Sequence, residues 1–252
     1  MRRRHALALC GTALTTLAGC GGRQSDTATP GRTLSVQPDG LQPAVVQLFV
    51  DAYEFEARAG SQYLFLSGPD ATGPERRFRF DGTDHEPGVD TSYDLVRAPS
   101  TFGPPTDASD WTVFELPETG EASDAALVAP DGEWRPGEPL RTRLAAPLPT
   151  LAVTGFTAPS VLTGSRPTFT VTVRNPSDHV GRFLGILRPP EWSYRPGQLV
   201  ARDVPAEGST TLEATGEPVA TPTPGTGGSD GDTLEYELAW PGGSTTTSLS
   251  VQ

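Results

Sequence analysis

Histidine, cysteine and clustered carboxylates carry most protein chemistry, and in this chain they are sparse. Three histidines (His5, His85 and His179) and two cysteines (Cys10 and Cys20) are spread over 252 residues. The densest grouping is FDGTDHEPGVD, residues 80–90, which gathers Asp81, Asp84, His85, Glu86 and Asp90 on a glycine-containing loop. Hard oxygen donors on such a loop suit calcium, so Asp81, Asp84, His85 and Asp90 are candidate metal ligands, although their spacing is not that of the twelve-residue calcium loop. With Arg76 nearby, the same stretch is where hydrolytic or metal-dependent chemistry would sit. Asp230-Gly231-Asp232 is a weaker grouping of the same kind. A serine triad would have to recruit one of the later histidines, and no nucleophile-elbow sequence marks a serine for it. No glycine pattern follows a strand and opens a helix to cradle phosphate. Paired catalytic carboxylates stay open among 31 acidic residues, because such a pair is defined in space. No cofactor is implied.

Strands must position these residues. With 26 Pro and 28 Gly, few runs exceed a dozen residues without a breaker, which leaves no room for long helices. Short apolar runs between turn residues predict an all-β protein built as two small β-sandwich domains. In the first, residues 41–146, strands are expected at 45–50, 53–57, 62–66, 77–80, 93–96, 111–116, 125–128 and 140–144. Ala145-Ala146-Pro147-Leu148-Pro149 reads as a stiff junction. In the second, residues 150–252, strands are expected at 151–156, 168–174, 182–187, 199–204, 210–214, 234–240 and 245–251, with Asn175-Pro176-Ser177-Asp178 as turn chemistry. Seven strands in about a hundred residues fit an immunoglobulin-like sandwich.

Pro159-Ser160, Gly164, the alternating strand into Arg174-Asn175, and Gly181 give this second half a resemblance to the cell-adhesion-related (CARDB-like) domains of archaeal and bacterial surface proteins. It departs from them at Pro176 and in the insert TPTPGTGGSDGD, residues 221–232, expected to be a mobile loop. Glu-Trp followed by Arg-Pro-Gly occurs at 133–137 and again at 191–197. Both are expected to be type II turns, with Trp134 and Trp192 in or beside a core.

The front of the chain supplies an address. Met1-Arg2-Arg3-Arg4-His5 precedes an uncharged run, residues 6–18, the layout of an export signal. As a helix that run would reach about 20 Å, short of the roughly 30 Å hydrocarbon layer. Leu17-Ala18-Gly19-Cys20 resembles the lipobox of prokaryotic lipoproteins. The resemblance implies a signal of residues 1–19 cut between Gly19 and Cys20, a lipid on the Cys20 thiol, and a mature chain without a disulfide. Arg3-Arg4-His5-Ala6-Leu7 also resembles the twin-arginine export signal, although a general secretory signal begins with positive charge too. Residues 20–40 read as a polar tether between lipid and body.

Every basic residue is arginine, and removal of Arg2, Arg3 and Arg4 leaves 16 against 31 acidic residues, a net charge of −15. Such a surface repels nucleic acid, whose binding depends on Lys and Arg displacing counterions. Acidity, absence of lysine and abundance of Asp, Glu, Thr and Gly resemble the proteins of salt-loving archaea. Together the resemblances imply a non-enzymatic protein on the extracellular face of the cell membrane. The lipid on Cys20 would hold it there, and its partner would be a surface-layer or other envelope protein. A surface hydrolase or metal-dependent enzyme around Asp81 to His85, and a solute-binding lipoprotein feeding a transporter, are the alternatives; the last normally needs two α/β lobes.

Molar salt shortens the screening length to about 3 Å and removes most of the self-repulsion of so acidic a chain. Circular dichroism should therefore show β structure in molar potassium chloride that is lost on dialysis into dilute buffer. Equal stability in both would contradict the salt dependence.

Overall fold

Threonine alternates with Phe and Val in TFTVTVR so regularly that an extended backbone sends every apolar side chain the same way. In the computed structural model of the chain, Phe169, Val171 and Val173 are fully buried while Thr168 and Thr170 are exposed. The structure describes residues 32–49, 52–73, 75–88, 94–95, 111–160, 164–190, 197–218 and 233–251. Arg3, Arg4, Gly19, Cys20, Asp90, Trp192 and the 221–232 insert lie outside the described residues.

The strands of the first half are β1 (Arg32–Thr33), β2 (Gln37–Gln42), β3 (Val45–Phe49), β4 (Ala52–Glu56), β5 (Ser61–Ser67), β6 (Arg77–Phe80), β7 (Thr83–His85), β8 (Asp94–Leu95), β9 (Thr112–Pro117), β10 (Ala126–Ala129) and β11 (Gly132–Trp134). Helix α1 (Glu138–Ala145) follows. The second half contributes β12 (Ala152–Thr157), β13 (Thr168–Arg174), β14 (Gly181–Arg188), β15 (Gln198–Val204), β16 (Ser209–Thr215), β17 (Thr233–Trp240) and β18 (Gly243–Ser250). They form five sheets, in the orders β1-β11-β10-β6-β7, β2-β5-β9, β4-β3-β8, β15-β14-β17-β18 and β12-β13-β16. The protein is thus all-β and sandwich-type, with one short helix among the described residues. The pairings among them are antiparallel apart from β1 beside β11.

Three expectations are corrected. Residues 140–144 are helix, not strand: Pro139 fits the first turn, Glu138 and Arg143 suit its opposite ends, and Leu140 and Leu144, four apart, share the buried face. The polar tether stops earlier than residue 40, since Arg32–Thr33 and Gln37–Gln42 are strands and Leu34 is buried between them. The proline and the irregular register between Pro38 and Gly40 hide β2 from a search for clean alternation, and both are tolerated because β2 is an edge strand. Finally, Gly137 has φ −65° and caps α1, so Pro136-Gly137 is not a type II turn, which needs positive φ at its glycine. Trp134 does pack against the first core.

Neighbouring sheets share apolar clusters. Phe78 and Phe80 of β6 and Leu127 of β10 pack with Leu64 and Leu66 of β5, Phe114 and Leu116 of β9, and both helix leucines. The other face of β5, Tyr63 and Phe65, meets Val45 of β3 and Val113 of β9. On the opposite face of β3, Ala44 and Val46, with Tyr53 and Phe55 of β4, pack on Leu184 and Ile186 of β14. Phe183 and Leu187, pointing the other way from β14, join Phe169, Val171, Leu212 and Leu238 in the core of the second-half sandwich. Strand β14, GRFLGILR, is therefore buried on both faces, and its apolar run is continuous rather than alternating for that reason.

Ile186 is fully buried in the cluster the two halves share. Ile186→Ala should lower the unfolding free energy by about 2–4 kcal/mol, measured by denaturant titration in molar potassium chloride. Exposed Glu213→Ala should stay within about 0.5 kcal/mol. Equal effects of the two would show that the shared cluster contributes little.

Candidate functional site

The residues singled out for chemistry fold into a hairpin. Phe80 pairs with Thr83, leaving Asp81-Gly82 as a two-residue turn with φ 52° and 68°. Positive φ at both positions is the type I′ geometry that Asp-Gly favours. Asp81 is fixed by Glu121: its N–H donates to the Glu121 carbonyl (3.1 Å), and its Oδ1 accepts the Glu121 N–H (2.9 Å). Asp84 accepts from Arg79 Nε at 3.0 Å, and Glu86 lies 3.6 Å from Arg77. His85 stands opposite Phe78, with Nε2 buried and without a hydrogen-bond partner among the described residues. Arg76 is engaged elsewhere, on the Asp70 carbonyl (3.1 Å) and Asp131 (3.5 Å). Among the described residues no three His, Cys, Asp or Glu side chains converge as metal ligands would.

A second constellation forms where the halves join. Asn175, the only asparagine in the chain, is fully buried. Its Nδ2 donates to the carbonyls of His179 (2.8 Å) and Val204 (3.1 Å), and its Oδ1 accepts from the Ser177 N–H (3.0 Å) and hydroxyl (2.6 Å). The turn thus held presents the His179 ring to the strap of residues 146–151. Nδ1 lies 2.7 Å from Asp178 Oδ1, and Nε2 lies 2.6 Å from the Pro147 carbonyl. The bond from His179, with a backbone bond to Asp178 itself, holds the Asp178 carboxyl below the usual carboxylate range.

Beside the strap opens a cleft of about 420 Å³, within the size range of small-ligand sites. Its walls are the 57–61 turn, strap residues 148–151, Arg182 to Leu184 of β14, the 240–242 turn, Pro43 and Glu118. The strap is pinned from the first half by Glu118 Oε1, which accepts the Leu148 N–H at 3.2 Å. Arg182, its side chain only 6% exposed, donates to Asp203 Oδ1 at 2.7 Å. Arg58 and Ser61 both donate to Glu115 Oε1, at 2.9 and 2.8 Å. Apolar surface therefore dominates the cleft, with two guanidinium groups held by carboxylates behind them and Trp240 at one end.

Trp240, Arg182, Arg58 and Glu118 were not marked out by sequence. Only the continuous apolar run of β14 and the proline-rich junction hinted that something packs there. The fold and cleft define an all-β, sandwich-type protein with a binding-shaped hollow between its halves. The chain matches no protein-family model, and no curated protein is significantly similar to it.

Gly181 sets the width at the strap. A Cβ there would lie 2.8 Å from Leu151 Cδ2 and 3.0 Å from Pro149 Cβ, and the proline ring has little room to yield. Gly181→Ala should therefore cost about 1–3 kcal/mol and change the fluorescence of Trp240 across the cleft, relative to the same substitution in a Trp240→Phe background. Unaltered stability and emission would show that the strap does not rest on Gly181.

Proposed function

We propose that this protein is a lipid-anchored component of the extracellular face of the cell membrane with a non-enzymatic binding role, its ligand or envelope partner taken up in the cleft between the halves. The observation that carries the proposal is the cleft: a concave, mostly apolar space beside a strand buried on both faces, with its single lining carboxylate, Glu118, already occupied by a backbone N–H. Few polar groups on the lining favour recognition over turnover. The resemblance of residues 17–20 to a lipobox supports the anchor, with Cys20 as the lipidated residue, Gly19 and Cys20 flanking the cut, and Arg3 and Arg4 directing export. The likeness of the second half to CARDB-like surface domains, and the acidic arginine-only surface of salt-loving organisms, support the same address. A surface-layer or membrane protein is the favoured partner, and a nucleic acid is disfavoured by the charge. No described helix is long and apolar enough to cross a membrane.

In the native host, the wild-type protein should fractionate with membranes and carry a lipid mass on its mature N-terminus. Cys20→Ser should lose both. Pull-down from detergent extracts in high salt should recover a partner with the wild type that is lost with Trp240→Ala. A wild-type N-terminus without lipid would overturn the anchor, and undiminished recovery with Trp240→Ala would overturn the cleft.

A further inference from the structure

Strand β14 is paired unequally on its two edges. Toward β15 the ladder runs from Gly181 opposite Val204 to Leu187 opposite Gln198. Toward β17 it holds only Ile186, Leu187 and Arg188, opposite Ala239, Leu238 and Glu237. Strand β17 does not continue past this point, because the chain reverses through Pro241-Gly242 and Trp240 pairs with Gly243 of β18 instead. Pro241 has no N–H to give a ladder. A Cβ on Gly242 would lie 3.1 Å from the Trp240 ring nitrogen, so the turn is folded tightly against the indole. The cleft opens where β17 would have run on: Phe183 and Leu184 of β14 line one side of it, and Trp240, Pro241 and Gly242 line its end. We propose that the cleft is a notch in the sheet that takes an extended segment of a partner polypeptide, which bonds through its main chain to β14 where β17 leaves off.

Consecutive residues of a strand turn their backbone N–H and C=O to opposite edges. One of Phe183 and Leu184 therefore bonds to β15, and the other directs both groups at the cleft side. Among the described residues, no backbone bond from either one reaches the strap or the 57–61 turn. Both residues are buried, 2% and 1% exposed, and a buried backbone group without a partner costs stability. An apolar small molecule would leave that cost standing, whereas a second backbone removes it. The walls suit a strand for another reason. Leu184 belongs to the cluster with Ala44 and Phe55, which lead into Pro43 and the 57–61 turn. Phe183 belongs to the cluster that Leu151 of the strap packs against. The notch is thus walled above and below, as the alternating side chains of an inserted strand require.

Charge narrows the segment. Of the charged side chains on the walls, Glu118 accepts the Leu148 N–H and Arg182 donates to Asp203. Arg58 donates to Glu115 yet keeps its side chain 72% exposed, so an acidic residue is favoured there over a lysine or arginine. Proline is excluded wherever the segment must donate to β14, since it lacks the N–H. Main-chain bonds supply affinity and the alternate side chains supply specificity, the mode of strand addition to a sheet edge. This inference rests on the cleft being the binding site.

Random hexapeptides selected on the purified protein in molar potassium chloride, with counter-selection on Ala59→Trp, should yield binders specific to the open cleft. Ala59 is an exposed turn residue on the lining, so the added ring fills the space without entering a core. Each binder is then remade with N-methyl groups on alternate residues. Methylation of one alternate set should weaken binding by about tenfold or more, the scale of a lost buried hydrogen bond, and methylation of the other set by less than about twofold. Saturation with the parent peptide should slow amide exchange at either Phe183 or Leu184 by about tenfold or more. Equal effects of the two methyl sets, unchanged exchange at both residues, or no peptide that distinguishes the wild type from Ala59→Trp would each overturn the inserted strand. If any of these occurs while the native partner is still lost with Trp240→Ala, the cleft remains the binding site and only the strand falls; a partner retained by Trp240→Ala removes both.

Discussion

One strand has to be apolar on both faces, and the rest of the molecule is arranged around that demand. Phe183 and Leu187 of β14 complete the core of the second-half sandwich, while Leu184 and Ile186, alternating with them, close the cluster with β3 and β4. Each such side chain withdrawn from water contributes roughly 1.5–3 kcal/mol. Neither half can leave the other without wetting Leu184, Ile186, Ala44 and Val46 together. The cleft follows from the same constraint. At the start of β14, where Arg182 to Leu184 emerge, the 57–61 turn and the strap diverge instead of packing, so a hollow opens against a firmly held back wall.

The legible parts of the sequence were those where one face of a strand is wet. In β13, β16 and β6, polar residues alternate with Phe, Val and Leu, and period two is visible without any tertiary knowledge. Where a strand is covered twice, as in β5 and β14, the run of apolar residues gives away its existence but not its neighbours. Strand β2 was hidden by Pro38 and a bulge, and the Asp81-Gly82 hairpin was obscured because its acids invited a metal-binding interpretation. Helix α1 is too short for 3.6-residue periodicity to stand out, and only Leu140 and Leu144 register it. The cleft could not be read at all, since its walls come from six stretches between residues 43 and 242 that meet only in the folded chain.

Ionic contacts play a lesser part than their number suggests. Arg58 with Glu115, Arg79 with Asp84 and Arg188 with Glu237 lie at the surface, where such pairs contribute about 0–1 kcal/mol and less in salt. They cannot offset an excess of twelve negative charges in the chain, so cohesion falls to the apolar clusters. Arg182 with Asp203 differs, because a guanidinium this deeply buried is shielded from solvent ions and keeps its attraction at high ionic strength.

The first described residues bear on how the body would withstand tension. Strand β1 is two residues long, lies parallel to β11, and is stapled by Arg32 to Asp70 and, at 3.3 Å, to Asp131. The Asp70 carboxylate is in turn gripped by the Ser35 N–H at 2.8 Å. Any pull transmitted along the chain from upstream reaches this ladder and its ionic staple before it reaches a core. If the chain is held from upstream, drag would fall first on this short ladder and only then on the sandwiches that follow it.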